Sequence, residues 1–397
     1  MTSSREADRG NTTPGPDLAG FLDDARFSQT FTLPSGPGRP HPFRVTYSDY
    51  GQRNPEDPSR EHVLLFCGPL MGSRLLHVAK DALAKKHGVR VIHPDRPGFG
   101  GTTPVSAADR VRVWLEIVPA LLRHLGIRHV SVASHSAGVI YALNTLLHLR
   151  RILSPARPYA ALITPWVHPS RSGVLLMTAA SGLPEAVLGK LHALAAFSQR
   201  SIAPVTGFSS GILSGLRPGL DAVGRLLPSL QARPPVVVVV AAAADDVSES
   251  ARMAAFEEAV WERLIEKVFS ESVQGLGEEL ILLMKRAAHP GYWGSWRDYD
   301  EYVALLAEGE RDPGAGGVAS DGARLLEVEV FWAAEDNLIG TGDGPKWFND
   351  CWGPERRGDR IDFASHVVPG ADHDGIVDLE FGVMERIFRR VAGTDGE

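Results

Sequence analysis

The sequence has few cysteines and no cluster of metal-ligand residues around them. Only two cysteines, Cys67 and Cys351, occur in 397 residues, and neither lies in a Cys-x-x-Cys motif or a Cys/His cluster. This excludes a disulfide-stapled scaffold and gives no support for a structural zinc site. We therefore expect free thiols, no bound metal and a reducing, cytoplasmic location.

The sequence also lacks an excess of positive charge and a long apolar run. Its 41 Lys and Arg against 48 Asp and Glu give a net charge of −7, and no stretch sets basic residues among aromatics. A nucleic-acid or anionic-membrane partner is therefore disfavoured. The longest uncharged apolar stretches, residues 173–184 and 236–244, are shorter than the ~20 residues of a membrane helix. A small molecule is the partner that we expect.

The first residues differ in composition from the rest of the chain. Residues 1–20 combine charge with proline and glycine and contain no apolar segment of the kind found in signal peptides. Such a composition cannot bury enough apolar surface to order the chain. We therefore predict a disordered tail over residues 1–25.

The next part of the chain alternates predicted strands with predicted helices, which is typical of the α/β class. Residues 26–33 and 43–50 alternate polar with apolar side chains and predict an antiparallel pair. Short apolar runs then predict parallel strands covered on both faces, at residues 62–67, 89–93, 129–133 and 159–163. A helix is predicted from Asp109 to Leu125, with a capping pattern at Ser106 and a stop at Gly126.

The strand rhythm stops after Trp166 and returns near residue 324. Residues 183–197, 248–271 and 277–286 predict helices, whereas residues 236–240 fit a strand or a buried helix start equally. The glycine-rich residues 312–322 predict a return linker, and residues 325–332 and 361–368 predict two more strands. We therefore predict a discontinuous core of residues 26–167 and 324–397, interrupted by a helical cap of residues 168–323.

An apolar predicted strand ends in Ser134-His-Ser136-Ala-Gly138 and leads into a helical pattern. A nucleophile on such a strand-to-helix turn needs very small neighbours two residues away on either side, and Ser134 and Gly138 satisfy this requirement. A serine hydroxyl also needs a base that a carboxylate orients, in the chain order Ser, acid, His. Asp336 and His373 follow the last two predicted strands in that order.

Other residues compete for these roles. Glu335 and Asp343 lie close to Asp336 in the sequence and are alternatives to it as the acid. Asp372 and Asp374 flank His373, and we interpret them as capping or solvating its turn. Cys67 ends an apolar predicted strand without a nucleophile turn, so we interpret it as a small buried hydrophobe.

Five motifs in the same order resemble those of serine hydrolases with the α/β-hydrolase fold. They are Cys-Gly-Pro-Leu-Met-Gly-Ser-Arg at 67–74, Asp-Arg-Pro-Gly-Phe-Gly at 95–100, the serine turn at 134–138, Ala-Ala-Glu-Asp at 333–336 and Gly-Ala-Asp-His at 370–373. The resemblance implies a mostly parallel eight-stranded sheet flanked by helices, an inserted helical cap and no cofactor. Two departures stand out. Cys67 or Gly68 replaces the usual first histidine, and Ala333 replaces a common glycine.

The resemblance also implies roles for individual residues. Ser136 is the nucleophile, His373 the base and Asp336 the residue that orients the base. Because Pro69 has no N–H, the N–H groups of Leu70 and Ala137 are the expected oxyanion donors.

Four residues are candidates for the lining of a substrate pocket. They are Met71, His135, Trp293 and Trp296. The alternative for both tryptophans is that they pack the cap onto the core, and His135 is alternatively a packed loop histidine.

These features predict a hydrolase that cleaves an ester-like bond. Transacylation, lactone or thioester cleavage and C–C bond hydrolysis share the first chemical step and stay open. Epoxide and haloalkane hydrolysis are disfavoured, because the nucleophile position holds serine instead of a carboxylate. A non-catalytic ligand-binding protein on the same fold is a further alternative, favoured only by the altered oxyanion loop.

Overall fold

The computed structural model describes residues 17–57, 60–174, 248–286, 293–311 and 324–394. Its strands are β1 (Gln29–Leu33), β2 (Phe43–Gly51), β3 (His62–Cys67), β4 (Val89–Pro94), β5 (Phe99–Gly100), β6 (Ser131–His135), β7 (Tyr159–Ile163), β8 (Ser272–Val273), β9 (Leu326–Ala333) and β10 (Ile361–Val368). Eight of them form one sheet in the order β1-β2-β4-β3-β6-β7-β9-β10, and β5 pairs with β8. In the eight-stranded sheet β2 runs antiparallel to β1 and β4, and all other neighbouring strands are parallel.

The strands agree closely with the sequence-based predictions. β3, β7 and β10 have the predicted bounds, and β3, β4, β6 and β7 lie almost entirely in the buried interior. Strands covered on both faces lack an exposed row, so their sequences are continuous apolar runs. β6 begins and ends two residues later than predicted, because the polar Ser134 and His135 still pair in the sheet.

The helices are α1 (Leu18–Leu22), α2 (Asp81–Lys86), α3 (Arg110–His124), α4 (Val139–His148), α5 (Pro169–Ser172), α6 (Glu249–Ser270), α7 (Gly275–Leu283), α8 (Tyr299–Arg311), α9 (Asp343–Cys351), α10 (Pro354–Arg357) and α11 (Val383–Ala392). α2 and α11 pack on each other and on β4, whereas α4 packs on α3 and β6. No described helix is long and apolar enough to span a membrane.

The boundaries of α3 follow from the residues that flank it. Ser106 donates a hydrogen bond of 2.9 Å to the Asp109 carboxylate just before the first turn. Gly126 takes a φ of +68° immediately after the helix, a conformation that glycine adopts without a Cβ clash. The predicted helix from Asp109 to Leu125 is therefore confirmed to within a residue at each end.

The predicted disordered tail is too long. Residues 1–16 lie outside the described residues, but α1 forms within residues 17–25. Asp17 caps this helix by accepting from the Gly20 N–H, and Leu22 is buried in the core. The Phe21 ring packs on Phe256 of α6 at 4.9 Å between ring centroids. The composition rule failed because these few apolar side chains bury against the inserted segment, which is remote in sequence.

The inserted segment is described in part. α6 confirms the helix predicted over residues 248–271, and α7 lies within two to three residues of the helix predicted over 277–286. The segments predicted at 183–197, 236–240 and 312–322 lie outside the described residues. α8 packs on α4, α9 and α10, so this helix belongs with the layer around the sheet. The domain boundaries at 168 and 323 stay a prediction.

Candidate active site

Three side chains from distant parts of the chain meet at one edge of the sheet. Ser136 follows β6 directly, Asp336 follows β9 and His373 follows β10. β6, β9 and β10 run parallel, so their carboxyl ends meet at the same edge, where α/β sheets bind ligands. The long insertion between β7 and β9 therefore does not separate the three residues in space.

The three side chains form a continuous chain of hydrogen bonds. His373 Nε2 lies 2.8 Å from Ser136 Oγ, and His373 Nδ1 lies 2.7 Å from Asp336 Oδ2. All three residues are buried. Because an ionised carboxylate only accepts, the proton on His373 sits on Nδ1, and Nε2 is left to accept the serine proton.

The turn at Ser136 is strained. Ser136 has a φ of 52°, in the left-handed region that costs a non-glycine residue about 1–3 kcal/mol. A Cβ on Gly138 would lie 2.0 Å from the Cys67 carbonyl oxygen, which a real side chain could not do. The small residue at position 138 is therefore required by the close approach of the loop after β3.

Asp336 is held by more than the histidine. Its Oδ1 accepts from the N–H groups of Leu338 and Ile339, each at 2.8 Å. Burial opposes ionisation, but the positive charge and hydrogen bond of His373 with these two N–H groups hold the pKa of Asp336 below its ordinary 3.8. Glu335 and Asp343 are exposed, so the structure brings Asp336 to the histidine, as predicted.

The pKa of His373 is shifted in the opposite direction. Burial lowers it, but the charge and hydrogen bond of Asp336 outweigh burial and raise the pKa above its ordinary 6.5. Asp372 adds a weaker effect of the same sign and accepts from the Gly375 N–H at 2.7 Å, which is the turn-capping role expected for it. A raised pKa makes His373 a stronger base for the Ser136 proton.

The two expected oxyanion donors come from the serine turn and from the loop after β3. Ala137 follows Ser136 at the helix start, and the loop after β3 abuts Gly138. In that loop the Gly72 N–H donates to the Pro69 carbonyl at 2.8 Å, which closes a turn over Leu70 and Met71. Among the described residues, the Leu70 N–H has no hydrogen-bond acceptor. Its role as a donor to a substrate oxyanion stays a prediction.

Met71 and His135 are both buried. His135 Nε2 lies 2.9 Å from the His373 carbonyl oxygen, so this side chain contacts the backbone of His373. Burial, together with the nearby charge of His373, lowers the pKa of His135 to about 4, which keeps it neutral at physiological pH. Its contacts are those of a packed histidine, the alternative to a pocket-lining role.

The structure places Trp293 and Trp296 in a packed aromatic cluster. Both rings are fully buried, and their centroids lie 5.5 Å apart. Trp293 donates its indole N–H to the Leu282 carbonyl at 3.1 Å, and Trp296 donates to the Asn144 side chain at 3.3 Å. These contacts are those of the alternative role, in which the tryptophans pack the residues before α8 onto α4. Their place in a pocket lining stays a prediction.

Three side chains at the site are of the types that bind metal ions. The ligand atoms of His135, His373 and Asp374 lie within 4.8 Å of one another. Both ring nitrogens of His373 already bond to Ser136 and Asp336. A cation bound here would therefore displace a hydrogen bond of the chain described above.

The two cysteines are free and buried. Burial raises the pKa of the Cys67 thiol to about 12, although the nearby Arg96 charge opposes it. Burial likewise raises the pKa of Cys351 to about 12. Neither thiol forms a thiolate near neutral pH, which supports the interpretation of Cys67 as a small buried hydrophobe.

Two residues at this edge were not singled out from the sequence. Arg96 bonds to the loop that holds Leu70, and Glu279 of α7 lies 3.2 Å from Arg96 Nε. The only signal for Arg96 was its place two residues after a buried strand, in the Asp-Arg-Pro-Gly-Phe-Gly motif at 95–100. Glu279 had no signal, because a single acidic residue in a helical pattern is ordinarily solvated.

Comparisons with known proteins give matches in structure but not in sequence. No family model matches the sequence, and no curated protein is similar to it in sequence. The chain is similar in structure to a putative aryl esterase from Burkholderia cenocepacia, with 14% identity, a TM-score of 0.49 and coverage of 92% of this chain and 97% of that one. It is also similar to a thermophilic esterase from Thermogutta terrifontis, with 15% identity, a TM-score of 0.48 and coverage of 92% of this chain and 99% of that one. A third similar structure is the enol-lactonase from Burkholderia xenovorans LB400, with 12% identity, a TM-score of 0.48 and coverage of 91% of this chain and 99% of that one.

The strand order, the antiparallel second strand and the serine turn after β6 are those of the α/β-hydrolase fold. The chain therefore has this fold, and the predicted fold class is confirmed.

Proposed function

We propose that this protein is a serine hydrolase that cleaves an ester-like bond of a small organic molecule through an acyl-enzyme. The observation that carries the proposal is the hydrogen-bonded chain Ser136–His373–Asp336 at the carboxyl edge of the sheet. The three groups occupy the roles of nucleophile, base and orienting carboxylate. The proposed reaction needs no metal or organic cofactor.

The reaction begins with attack of Ser136 Oγ on the substrate carbonyl. His373 Nε2 takes the hydroxyl proton as the bond forms and then gives it to the leaving alcohol. Asp336 holds the Nδ1–H tautomer and stabilises the imidazolium that forms, which its lowered pKa permits because it stays ionised. Water, activated by the same histidine, then releases the acid.

The tetrahedral intermediate carries a negative oxygen that the protein must stabilise. In the proposal, the N–H groups of Leu70 and Ala137 donate to this oxygen. A backbone donor that is fixed before the reaction needs no reorganisation during it, and one such donor is worth about 3–4 kcal/mol of barrier. The absence of a protein acceptor for the Leu70 N–H among the described residues supports this role.

A probe that reacts only with an activated serine tests the proposal. A fluorophosphonate should label the folded protein stoichiometrically, and Ser136→Ala should abolish labelling. If the folded wild-type protein is not labelled, the hydrolase proposal is wrong and a non-catalytic binding protein becomes the better interpretation.

A second experiment distinguishes the reactions that share an acyl-enzyme. A panel of p-nitrophenyl esters of increasing acyl length, assayed with and without added alcohol, thiol and amine acceptors, reports both chain preference and acyl transfer. Release of free acid in the presence of acceptors supports hydrolysis. Transfer of most of the acyl group to an acceptor would instead favour a transacylase.

A further inference from the structure

Arg96 makes four hydrogen bonds to the loop between β3 and α2. Its backbone N–H donates to the Gly72 carbonyl at 3.0 Å. Its guanidinium donates to three consecutive carbonyl oxygens, those of Gly68, Pro69 and Leu70, the last at 3.1 Å. Arg96 is 1% exposed, so these bonds form in a site where water does not compete for the donors.

These bonds fix the direction of the Leu70 N–H. In a planar trans peptide, the carbonyl of one residue and the N–H of the next point in opposite directions. The guanidinium binds the Pro69 carbonyl, so the Leu70 N–H points away from Arg96. The same argument applies to the Leu70 carbonyl and the Met71 N–H. Arg96 therefore sets the plane of the peptide that carries the proposed oxyanion donor.

A buried carboxylate from the inserted segment forms an ion pair with Arg96, without hydrogen-bond geometry. Glu279 Oε1 of α7 lies 3.2 Å from Arg96 Nε, and Glu279 is fully buried. Its Oε2 lies 2.6 Å from Arg110 and accepts from the Tyr141 hydroxyl at 2.8 Å. The Tyr141 ring also lies under the Arg96 guanidinium, at 4.9 Å from the ring centroid.

This cluster holds more positive than negative charge, so the Glu279 carboxylate is needed to neutralise it. One carboxylate lies between two buried guanidiniums, Arg96 and Arg110. Removing its charge would leave two unneutralised buried cations, which is strongly unfavourable unless they move towards water. Movement of Arg96 would release the carbonyls of the loop that it holds.

We propose that Arg96 is a positioning residue for the oxyanion hole and that Glu279 fixes the position of Arg96. The inserted segment then contributes to catalysis without contacting the substrate. The inference rests on the proposed function, since an oxyanion donor matters only if Ser136 is acylated. Neither residue contacts the substrate. Both act through the Pro69–Leu70 peptide.

The same segment offers a matched control. Glu271, just after α6, binds Arg74 through two hydrogen bonds of 2.6 and 2.8 Å. The Arg74 guanidinium also donates to Asp95, to the Phe27 carbonyl and to Ser28. None of these acceptors is a carbonyl of residues 68–70. Glu271→Gln therefore removes an ion pair between insertion and core without removing a hydrogen bond to the carbonyls of residues 68–70.

The experiment compares Arg96→Lys, Glu279→Gln and Glu271→Gln with the wild type. For each, kcat and KM are measured with a p-nitrophenyl ester, together with inhibition by a trifluoromethyl ketone, which forms a tetrahedral oxyanion adduct with the serine. Lysine keeps the charge but lacks the planar donors of arginine. We expect Arg96→Lys to lower kcat about 100-fold and Glu279→Gln about 10-fold, with KM changed less than about threefold.

The ketone separates a positioning role from a merely structural one. Its affinity should fall in parallel with kcat for Arg96→Lys and Glu279→Gln. For Glu271→Gln, thermal unfolding should shift to lower temperature while kcat and ketone affinity stay within about twofold of the wild type. If Glu279→Gln does not fold, Arg96→Lys against Glu271→Gln makes the same comparison.

The possible failures are distinguishable. If the wild type neither hydrolyses the esters nor reacts with a fluorophosphonate, the proposed function is wrong. If the wild type is active but Arg96→Lys and Glu279→Gln match Glu271→Gln in kcat and ketone affinity, the proposed function stands and the positioning role is wrong.

Discussion

The sheet core and the inserted segment contribute to the site in different ways. Ser136, Asp336 and His373 all come from the core, at the ends of β6, β9 and β10. The described part of the insertion contributes carboxylates that bind buried cations of the core, with Glu257 on Lys80, Glu271 on Arg74 and Glu279 on Arg96. The proposed proton-transfer groups thus follow strand ends of the core, whereas these three ion pairs tie the core to a segment remote in sequence.

The largest expected effect falls on the core nucleophile. Ser136→Ala should lower kcat/KM for an activated ester by at least about 10⁴-fold, because no other described side chain bonds to His373 Nε2. Kinetics with a p-nitrophenyl ester measure this loss.

The matched control is Ser134→Ala, two residues earlier in the same turn. Ser134 Oγ is buried and, among the described residues, has no hydrogen-bond partner. Its removal should change kcat/KM less than about threefold. Equal losses in the two variants would contradict the assignment of the nucleophile.

Replacing the orienting carboxylate should change both the rate and its pH dependence. Wild-type activity should fall as the pH drops through the raised pKa of His373, above 6.5, because the base must be neutral. In Asp336→Asn, burial persists without the charge and hydrogen bond of Asp336, so the pKa of His373 should fall and the acid limb should move to lower pH. We expect kcat to fall by about 10⁴-fold, since asparagine does not hold the Nδ1–H tautomer.

A pH–rate profile of kcat/KM measures this shift. Asp343→Asn, at the exposed alternative carboxylate, serves as the control and should keep the wild-type profile. An acid limb that stays in place in Asp336→Asn would show that Asp336 does not set the pKa of the base.

A smaller effect, on stability, is expected at an ion pair between the insertion and the core that lies away from the serine. Glu257 of α6 binds the buried Lys80 and accepts from the Leu379 N–H at 2.9 Å. Glu257→Gln leaves the buried Lys80 with only the more distant Asp378 carboxylate, at 4.0 Å, and should destabilise the fold by about 3 kcal/mol. Thermal unfolding measures the loss, and the neighbouring exposed Glu258→Gln should be neutral. A neutral Glu257→Gln would show that α6 is not fixed by this ion pair.

The smallest expected effect lies at the surface, where α6 meets the chain before β1. Lys267 donates to the Leu22 carbonyl at 2.8 Å and to Asp23 at 2.6 Å, and Asp23 is mostly exposed. Exposed pairs of this kind contribute at most about 1 kcal/mol, so Lys267→Met should shift the free energy of unfolding by less than that. A loss as large as that of Glu257→Gln in chemical denaturation would contradict this ranking.

What could be predicted from the sequence also differs between the core and the inserted segment. The strands and the positions of Ser136, Asp336 and His373 could be predicted, because buried parallel strands are apolar runs and their ends converge at one edge. The helix α1 could not, since its few apolar residues are stabilised by Phe256 on a distant helix. Glu279 could not either, because nothing local distinguishes a buried carboxylate from a solvated one in a helical pattern.

The central claim is that Ser136 becomes acylated during turnover. Intact-mass and peptide mass spectrometry after brief mixing with p-nitrophenyl acetate and acid quenching test it directly. The account predicts the mass of one acetyl group on the peptide that contains Ser136, absent in Ser136→Ala. Release of p-nitrophenol by the wild type with no adduct, or with the adduct on another residue, would contradict it.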